Sequence, residues 1–321
     1  MNDSIPKTHD TKGSSVVPEK EVARLSYQAH ERGYDEYRPG ASKAGHAEAW
    51  LEAGTVNSWR FERMYKLAAP ILEACPGAEW MTVGDGRYGL DAVYLQRHGG
   101  RALATDISDT LLLEAKQRGL IGDYRKENAE QLSFPAETFD FVLCKESYHH
   151  FPRPPLALYE MLRVARRGVL LIEPNDPEIP DSVATRCSRL LKNVIKTVLG
   201  KPTHAHAFEE LGNYVYAISR REIEKVALGI GLQVVAFKGV NDYYVPGVEF
   251  EPANESSALF RKVRSQIARY DWLCNLGISQ YGLLGAVILK DANDTRLMDA
   301  LRRHGYDVVV LPKNPVLSSA K

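Results

Sequence analysis

The sequence predicts an α/β protein built on a doubly wound sheet. Three observations predict it. Short apolar runs alternate with amphipathic stretches from Trp80 to Pro174. A glycine-rich turn, Gly84-x-Gly86-x-x-Gly89, follows the first run and opens a helix-like stretch. An acid, Asp106, closes the second run, 20 residues after Gly86. Alternating strand and helix implies parallel strands with helices on both faces, and right-handed crossovers wind the sheet in both directions.

Each element follows from local pattern. Residues 1–20 are polar, rich in Gly, Ser, Pro and Lys, and read as a disordered tail. Residues 21–77 read as an N-terminal helical lid, with "NSWRFERMYKLAAPILEA" as its clearest helix, capped by Asn57 or Ser58. The core spans 78–292. "WMTVG", "RALATDI", "FDFVLCKES" and "GVLLIEP" are its first long strands, and a third strand ends near Asn128. "GLDAVYLQRHG", "SDTLLLEAKQRG" (capped by Ser108) and "PLALYEMLRVA" are the intervening helices. Helical insertions fall at about 175–218 and 246–281, and "FEELGNYVYA" reads as helix within the first. Ser219 caps "SRREIEKVALGIG"; "LQVVAFKGV" and "GLLGAVILK" are later strands. Residues 293–321 form a C-terminal helix–strand extension.

Composition narrows the function classes. Lys plus Arg is 41 and Asp plus Glu is 41, so no global basic surface exists for nucleic acid. The start of the chain lacks a signal-peptide core, and no run reaches the roughly 18 apolar residues of an integral membrane segment. Cys75, Cys144, Cys187 and Cys274 form no CxxC pair, which argues against a zinc site or a disulfide framework and suits the cytoplasm.

A strand that turns sharply into a helix while a ligand approaches its backbone needs glycine, which tolerates positive φ and has no Cβ to collide. The spacing alone admits a dinucleotide, S-adenosylmethionine, or a purely structural turn. Asp106 sharpens the choice toward a nucleotide, because an acid at the tip of a second strand accepts both hydroxyls of an adenosine ribose.

The segment "YRKENAEQLSFPAETFDFVLCKESYHHF", with "YEMLRVARRG", "VLLIEP" and "YAISRREIEKVALGIGLQVV", resembles class I S-adenosylmethionine-dependent methyltransferases. The branch is that of quinone-biosynthesis and small-molecule or sugar O-methyltransferases. The resemblance implies a Rossmann-like sheet of seven strands, parallel with one antiparallel strand, and S-adenosyl-L-methionine as cofactor. It aligns Gly84 and Gly86 with the family's first two glycines. The third is usually two residues after the second, where Tyr88 stands; Gly89 comes one residue late. The usual acid before the loop is replaced by Thr82, with Asp85 inside the turn. Either could serve the cofactor's ammonium, or Asp85 could merely stabilise the turn.

By the same resemblance, Asp106 holds the ribose and Ile107 packs on the adenine. Asn128 takes the adenine amino group and Ala129 offers a backbone amide. Lys145 marks the strand exit beside the methionine part, and Arg60 or Arg63 pairs with the cofactor carboxylate. Glu146 is unusual there, since relatives carry an apolar or small residue. His149 is the candidate general base and His150 the second choice. Tyr27, Tyr34 and Tyr37 belong to the lid. His204 and His206 beside Glu209 and Glu210 have metal-like spacing, but this branch commonly needs none, so no metal is expected.

The implied activity is methyl transfer to a small-molecule or glycan acceptor, on a hydroxyl oxygen. The insertions read as too polar to admit a large lipid, and "DSVATRCSRLLKNVIKTVLG" reads as a basic amphipathic surface helix. Two alternatives stand beside this. One is a non-catalytic cofactor-binding module acting through a partner. The other is a NAD-dependent oxidoreductase, which lacks a Tyr-x-x-x-Lys pair here.

Overall fold

The computed structural model describes residues 19–180, 183–199, 208–209 and 213–315. The expected tail up to residue 18 lies outside them, as do His204, His206 and Glu210. At the centre are β1 (Glu79–Val83) and β4 (Phe139–Lys145), paired in parallel. β2 (Arg101–Asp106) and β3 (Tyr124–Lys126) extend one way; β5 (Ala165–Pro174), β7 (Leu283–Leu289), β6 (Val234–Val240) and β8 (Asp307–Val310) extend the other.

The sheet therefore has eight strands in the order 3-2-1-4-5-7-6-8, where seven are expected. The strand of the C-terminal extension joins the sheet by pairing antiparallel to β6. β7 runs antiparallel to both β5 and β6, so β7 and β8 oppose the other six. β6 supplies an unpaired edge that the valine-rich "DVVV" completes.

Alternation along the strands builds two apolar layers. Phe141 and Leu143 of β4 face one side with Trp80, and Val142 and Cys144 face the other with Met81 and Val83. On the first side lie α4 (Ala69–Ala74) and α11 (Thr295–Arg303). On the second lie α7 (Pro154–Val164) and α9 (Arg220–Gly229). Helices α5 (Leu90–Arg97) and α6 (Thr110–Gln117) follow β1 and β2.

Ahead of the sheet come α1 (Glu19–Gly33), a 3-10 turn at Tyr34–Tyr37, α2 (Ala44–Leu51) and α3 (Val56–Tyr65). The last is capped by Thr55, whose hydroxyl accepts from the Ser58 N–H, rather than by Asn57 or Ser58. Ser108 is not the cap of α6 either; Asp109 holds that position without a side-chain bond. α8 (Val183–Val198) and α10 (Ala258–Asn275) are the main helices of the two insertions. Of the helix expected at "FEELGNYVYA", the described part is extended: Phe208 bridges Tyr214, and Ile218 bridges Asn175. The polar character expected of the first insertion also fails at α8, which exposes Leu190, Leu191, Val194 and Ile195.

Candidate active site

The strand order reverses between β1 and β4, and the crevice beyond their carboxyl ends is the ligand position of open α/β sheets. A cleft opens there. Its walls include Gly84 after β1, Asp106 and Ile107 after β2, Ala129 after β3, and Ser147 after β4.

The glycine turn explains its own spacing. Gly84 adopts φ +74°, and a Cβ there would lie 2.3 Å from that of Ser147. Tyr88 and Gly89 both have positive φ, at 58° and 67°. The late glycine is thus needed at the N-cap of α5, where a Cβ would press on Ile121 and Ala104 at 3.1 and 3.2 Å. Tyr88, in the family's glycine position, accepts an uncommon backbone conformation and buries its ring among Trp50, Leu111 and Leu112.

Thr82 and Asp85 turn toward each other. The fully buried Thr82 hydroxyl donates to Asp85 Oδ2 at 2.8 Å. The same carboxyl accepts from the N–H groups of Asp91 (3.1 Å) and Ala92 (2.9 Å), satisfying the first turn of α5. Burial, then the neighbouring Asp91 carboxylate, pushes the Asp85 carboxyl well above its ordinary range. Asp91 accepts from the Tyr65 hydroxyl at 2.7 Å and pairs with Lys145 Nζ at 3.3 Å. Lys145 lies 4.5 Å from the centre of the Phe61 ring. Thr82, Asp85 and Lys145 therefore form one buried network behind the loop, in which the side chain of each is already committed.

Asp106 accepts from the N–H of Ser108 at 2.8 Å and from those of Gly86 and Ile107, tying the end of β2 to the glycine turn. Burial raises its carboxyl to about 6 despite those donors. Tyr34 reaches in from the N-terminal segment, and a Cβ at Gly86 would lie 2.4 Å from its hydroxyl. Burial and the nearby Asp106 raise the Tyr34 pKa. Tyr27 also lines the cleft, and burial and the nearby Glu130 raise its pKa. Asn128 accepts from the Glu130 N–H at 2.9 Å through Oδ1, fixing the turn that presents Ala129.

At the exit of β4, Glu146 has φ +51°, a conformation rare for a non-glycine residue and found at strained functional turns. Burial raises its carboxyl, with Lys145, Glu173 and His149 nearby. His149 Nδ1 lies 2.7 Å from Glu173 Oε2. Glu173, fully buried at the end of β5, also accepts from the N–H groups of Ser147 and Tyr148, both at 2.9 Å. Burial opposes the His149 imidazolium, but the Glu173 hydrogen bond and the charges of Glu173, Glu146 and Glu209 together outweigh it and raise the pKa. With Nδ1–H donating to the carboxylate, the lone pair of the neutral ring is on Nε2. Sequence reasoning missed Glu173; its signal was an acid closing the apolar run "VLLIEP".

Arg60 is placed otherwise than the sequence suggests. Its guanidinium is buried and closes on the carboxylate of Asp242 through Nε (2.8 Å) and Nη2. Nη1 donates to Asn57, so no free fork remains for a cofactor carboxylate. Arg63 is partly buried beside Asn241 and Asp271.

His30 of α1, His150 and Glu209 bring ligand atoms within 4.8 Å of one another, the one such group among the described residues. His150 Nδ1 contacts Glu209 Oε1, and His30 Nε2 lies 3.4 Å from Oε2. Burial opposes ionisation of Glu209, yet the two imidazoles hold its carboxyl down at about 2. The three side chains together tie α1 to the loop after β4. Glu209 was grouped with His204 and His206 in the sequence reading; its partners here come from remote segments.

The residues fit a nucleoside–amino acid cofactor. Side chains at Gly84 and Gly86 would fill the cradle, Ile107 and Ala129 offer an apolar slot, and Asp106 stands between them. Strand order and cleft agree with the fold and the S-adenosyl-L-methionine cofactor that the resemblance to class I methyltransferases implies.

Comparison with known proteins agrees. The family model described as a methyltransferase domain matches residues 81–172. The ubiquinone biosynthesis O-methyltransferase of Hahella chejuensis is 33% identical over 100 residues, 30% of this chain and 42% of that protein. The ubiquinone/menaquinone biosynthesis C-methyltransferase UbiE of Hydrogenovibrio crunogenus is 30% identical over 122 residues, 35% of this chain and 48% of that one. The match spans less than half the length of either relative. Among solved structures, the magnesium protoporphyrin IX methyltransferase of Synechocystis with bound cofactor is 13% identical. That likeness covers 86% of this chain and 99% of the other, with a TM-score of 0.42.

Proposed function

We propose that the chain transfers a methyl group from S-adenosyl-L-methionine to a hydroxyl oxygen of a small-molecule or glycan acceptor. The single observation that carries the oxygen assignment is the His149–Glu173 pair at 2.7 Å. In this reading Asp106 accepts the ribose hydroxyls, Ile107 and Ala129 enclose the adenine beside Asn128, and the backbone of Gly84 and Gly86 faces the methionine part. Thr82, Asp85 and Lys145 act from behind, holding the loop, and Arg60 holds the segment bearing Asp242.

When bound, the cofactor supplies a methyl carbon made electrophilic by its sulfonium. The protein's part is to place the acceptor oxygen in line and to receive its proton. Transfer would release the acceptor oxygen's proton, and His149 Nε2 would receive it. Glu173 keeps the ring in the correct tautomer and stabilises the imidazolium that results. Four scattered cysteines agree with a cytoplasmic setting, and no helix among the described residues is long and apolar enough to cross a membrane.

The test combines calorimetry with turnover. S-adenosylhomocysteine should bind and NADH should not. A panel of phenols and sugar alcohols should yield methyl ethers, and His149→Gln should abolish transfer while retaining S-adenosylhomocysteine affinity. Transfer to nitrogen or carbon alone, or full activity in His149→Gln, would overturn the oxygen-with-base reading.

A further inference from the structure

α8 is mounted the reverse way round for a surface helix of a globular protein. At 100° per residue, Thr185, Ser188, Arg189, Asn193 and Lys196 share one side, and that side lines a cleft against Pro177–Pro180 and Ile278–Gln280. The opposite side carries Leu190, Leu191, Val194 and Ile195, with Leu199 just beyond the helix. Their exposure runs from 49% at Ile195 to 66% at Leu190. A helix that turns polar atoms inward and leucines outward is placed for an apolar medium outside.

Charge identifies that medium. Residues 183–199 contain Arg186, Arg189, Lys192 and Lys196 and no acid. Arg189 pairs with Glu178, while Arg186 and Lys196 are exposed. An anionic surface attracts a helix of this charge. The helix is 16 residues, about 24 Å long, too short to span a bilayer core and too charged to enter one. Its length and patterning suit lying in the plane of the interface. The apolar surface continues onto the end of α10, where Trp272, Leu276 and Ile278 are also exposed. A Cβ at Gly277 would lie 3.8 Å from that of Ala184, so the two helices meet there.

We propose that α8, with the end of α10, docks this protein on an anionic lipid bilayer surface. Leucines and valine sit among the acyl chains' upper carbons, and the exposed Arg186 beside them sits at the lipid phosphates. The docking does not depend on which acceptor is methylated.

Co-sedimentation of the full chain with vesicles tests it. Vesicles containing phosphatidylglycerol should bind at least about tenfold more tightly than phosphatidylcholine alone, with binding weakened by added salt. The triple variant Leu190→Ser, Leu191→Ser, Val194→Ser should lose at least about tenfold in vesicle affinity while keeping its circular dichroism and S-adenosylhomocysteine affinity. If that variant fails to fold, Arg186→Glu with Lys196→Glu decides, and should abolish the preference for phosphatidylglycerol. Absence of binding to phosphatidylglycerol vesicles overturns the proposal. So does unchanged binding by the variants, or light scattering in which the triple variant converts a dimer to a monomer.

Discussion

The Thr82 hydroxyl donates to Asp85, and Asp85 in turn receives the N–H groups of Asp91 and Ala92 in the first turn of α5. An acid has in effect moved from the strand into the turn. It now works on the helix start rather than at the cleft wall. The pair is fully enclosed, so each lost partner exposes a buried polar group to no replacement. Asp85→Ala should destabilise by about 2–4 kcal/mol, since two N–H groups and a hydroxyl lose their acceptor. Thr82→Val, nearly isosteric, should cost about 1–2 kcal/mol. Thr82→Asp should be worse than either, because it sets a second carboxylate against the first in a buried place. Urea denaturation measures all three, and a neutral Asp85→Ala would sink the structural role.

The Asp106 carboxyl sits at about 6 against an ordinary 3.8, because it is buried. The folded protein therefore binds this proton more readily than the unfolded chain. Stability from this group is fully present below pH 4 and is lost as pH rises to 6; the loss corresponds to about 3 kcal/mol. Asp106→Asn removes the ionisation and should raise the melting temperature of the cofactor-free protein at pH 8. The same change should weaken S-adenosylhomocysteine binding at least tenfold, because the ribose loses a carboxylate. Melts at pH 4 and pH 8 with and without the ligand check both halves. A destabilised variant at pH 8 would count against the buried charge, and unchanged affinity against the ribose role.

His149 must be neutral to accept a proton. Its pKa is raised above 6.5 because Glu173, Glu146 and Glu209 together outweigh burial. The rate should therefore climb as pH rises through that raised value and level off above it. The stability contributed by the pair has the opposite slope: it is complete below 6.5 and lost as pH rises through the folded value. Glu173→Gln removes the main opposition to burial, so the rising limb should move toward acid while the plateau falls. His149→Gln should lower the plateau by about 10²–10⁴ and abolish the limb. A limb that keeps its position in Glu173→Gln would assign it to another group, Glu146 being the nearest candidate.

What the sequence made legible was governed by local pattern. β1, β2, β4 and β5 are apolar runs bounded by turns, and both the glycine turn and Asp106 lie at their ends. The cap at Thr55 was missed because Asn57 and Ser58 are stronger local signals, and the choice depended on how the preceding chain bends. β8 was read as an extension because its valines do not say which edge they join. Glu173 was hidden because an acid in an apolar strand shows its purpose only when His149 folds over it. His30, His150 and Glu209 come from three segments, which no spacing rule connects. At α8 the amphipathic period was plain, but periodicity does not tell which face turns outward.

Gly84 and Gly99 share a positive φ, +74° and +90°, but not their surroundings. Around Gly99 nothing lies within 4 Å of an added Cβ. Gly99→Ala should therefore cost only the backbone conformation, about 1–2 kcal/mol. At Gly84 the added Cβ lies 2.3 Å from Ser147 Cβ and 2.5 Å from its Oγ. Neither atom is the far end of a flexible chain, so the glycine turn and the β4 exit must part. The Ser147 hydroxyl also donates to the Gly84 carbonyl at 2.7 Å, and that bond would break. Gly84→Ala should cost at least about 3 kcal/mol, the conformational part plus a lost hydrogen bond and overpacking. It should also reduce S-adenosylhomocysteine affinity, because both displaced loops line the cleft. Ser147→Gly in the Gly84→Ala background removes the colliding atoms and should recover the packing part while leaving the conformational part. If the double variant is no more stable than Gly84→Ala, the close approach of these two loops is not what requires glycine at this position.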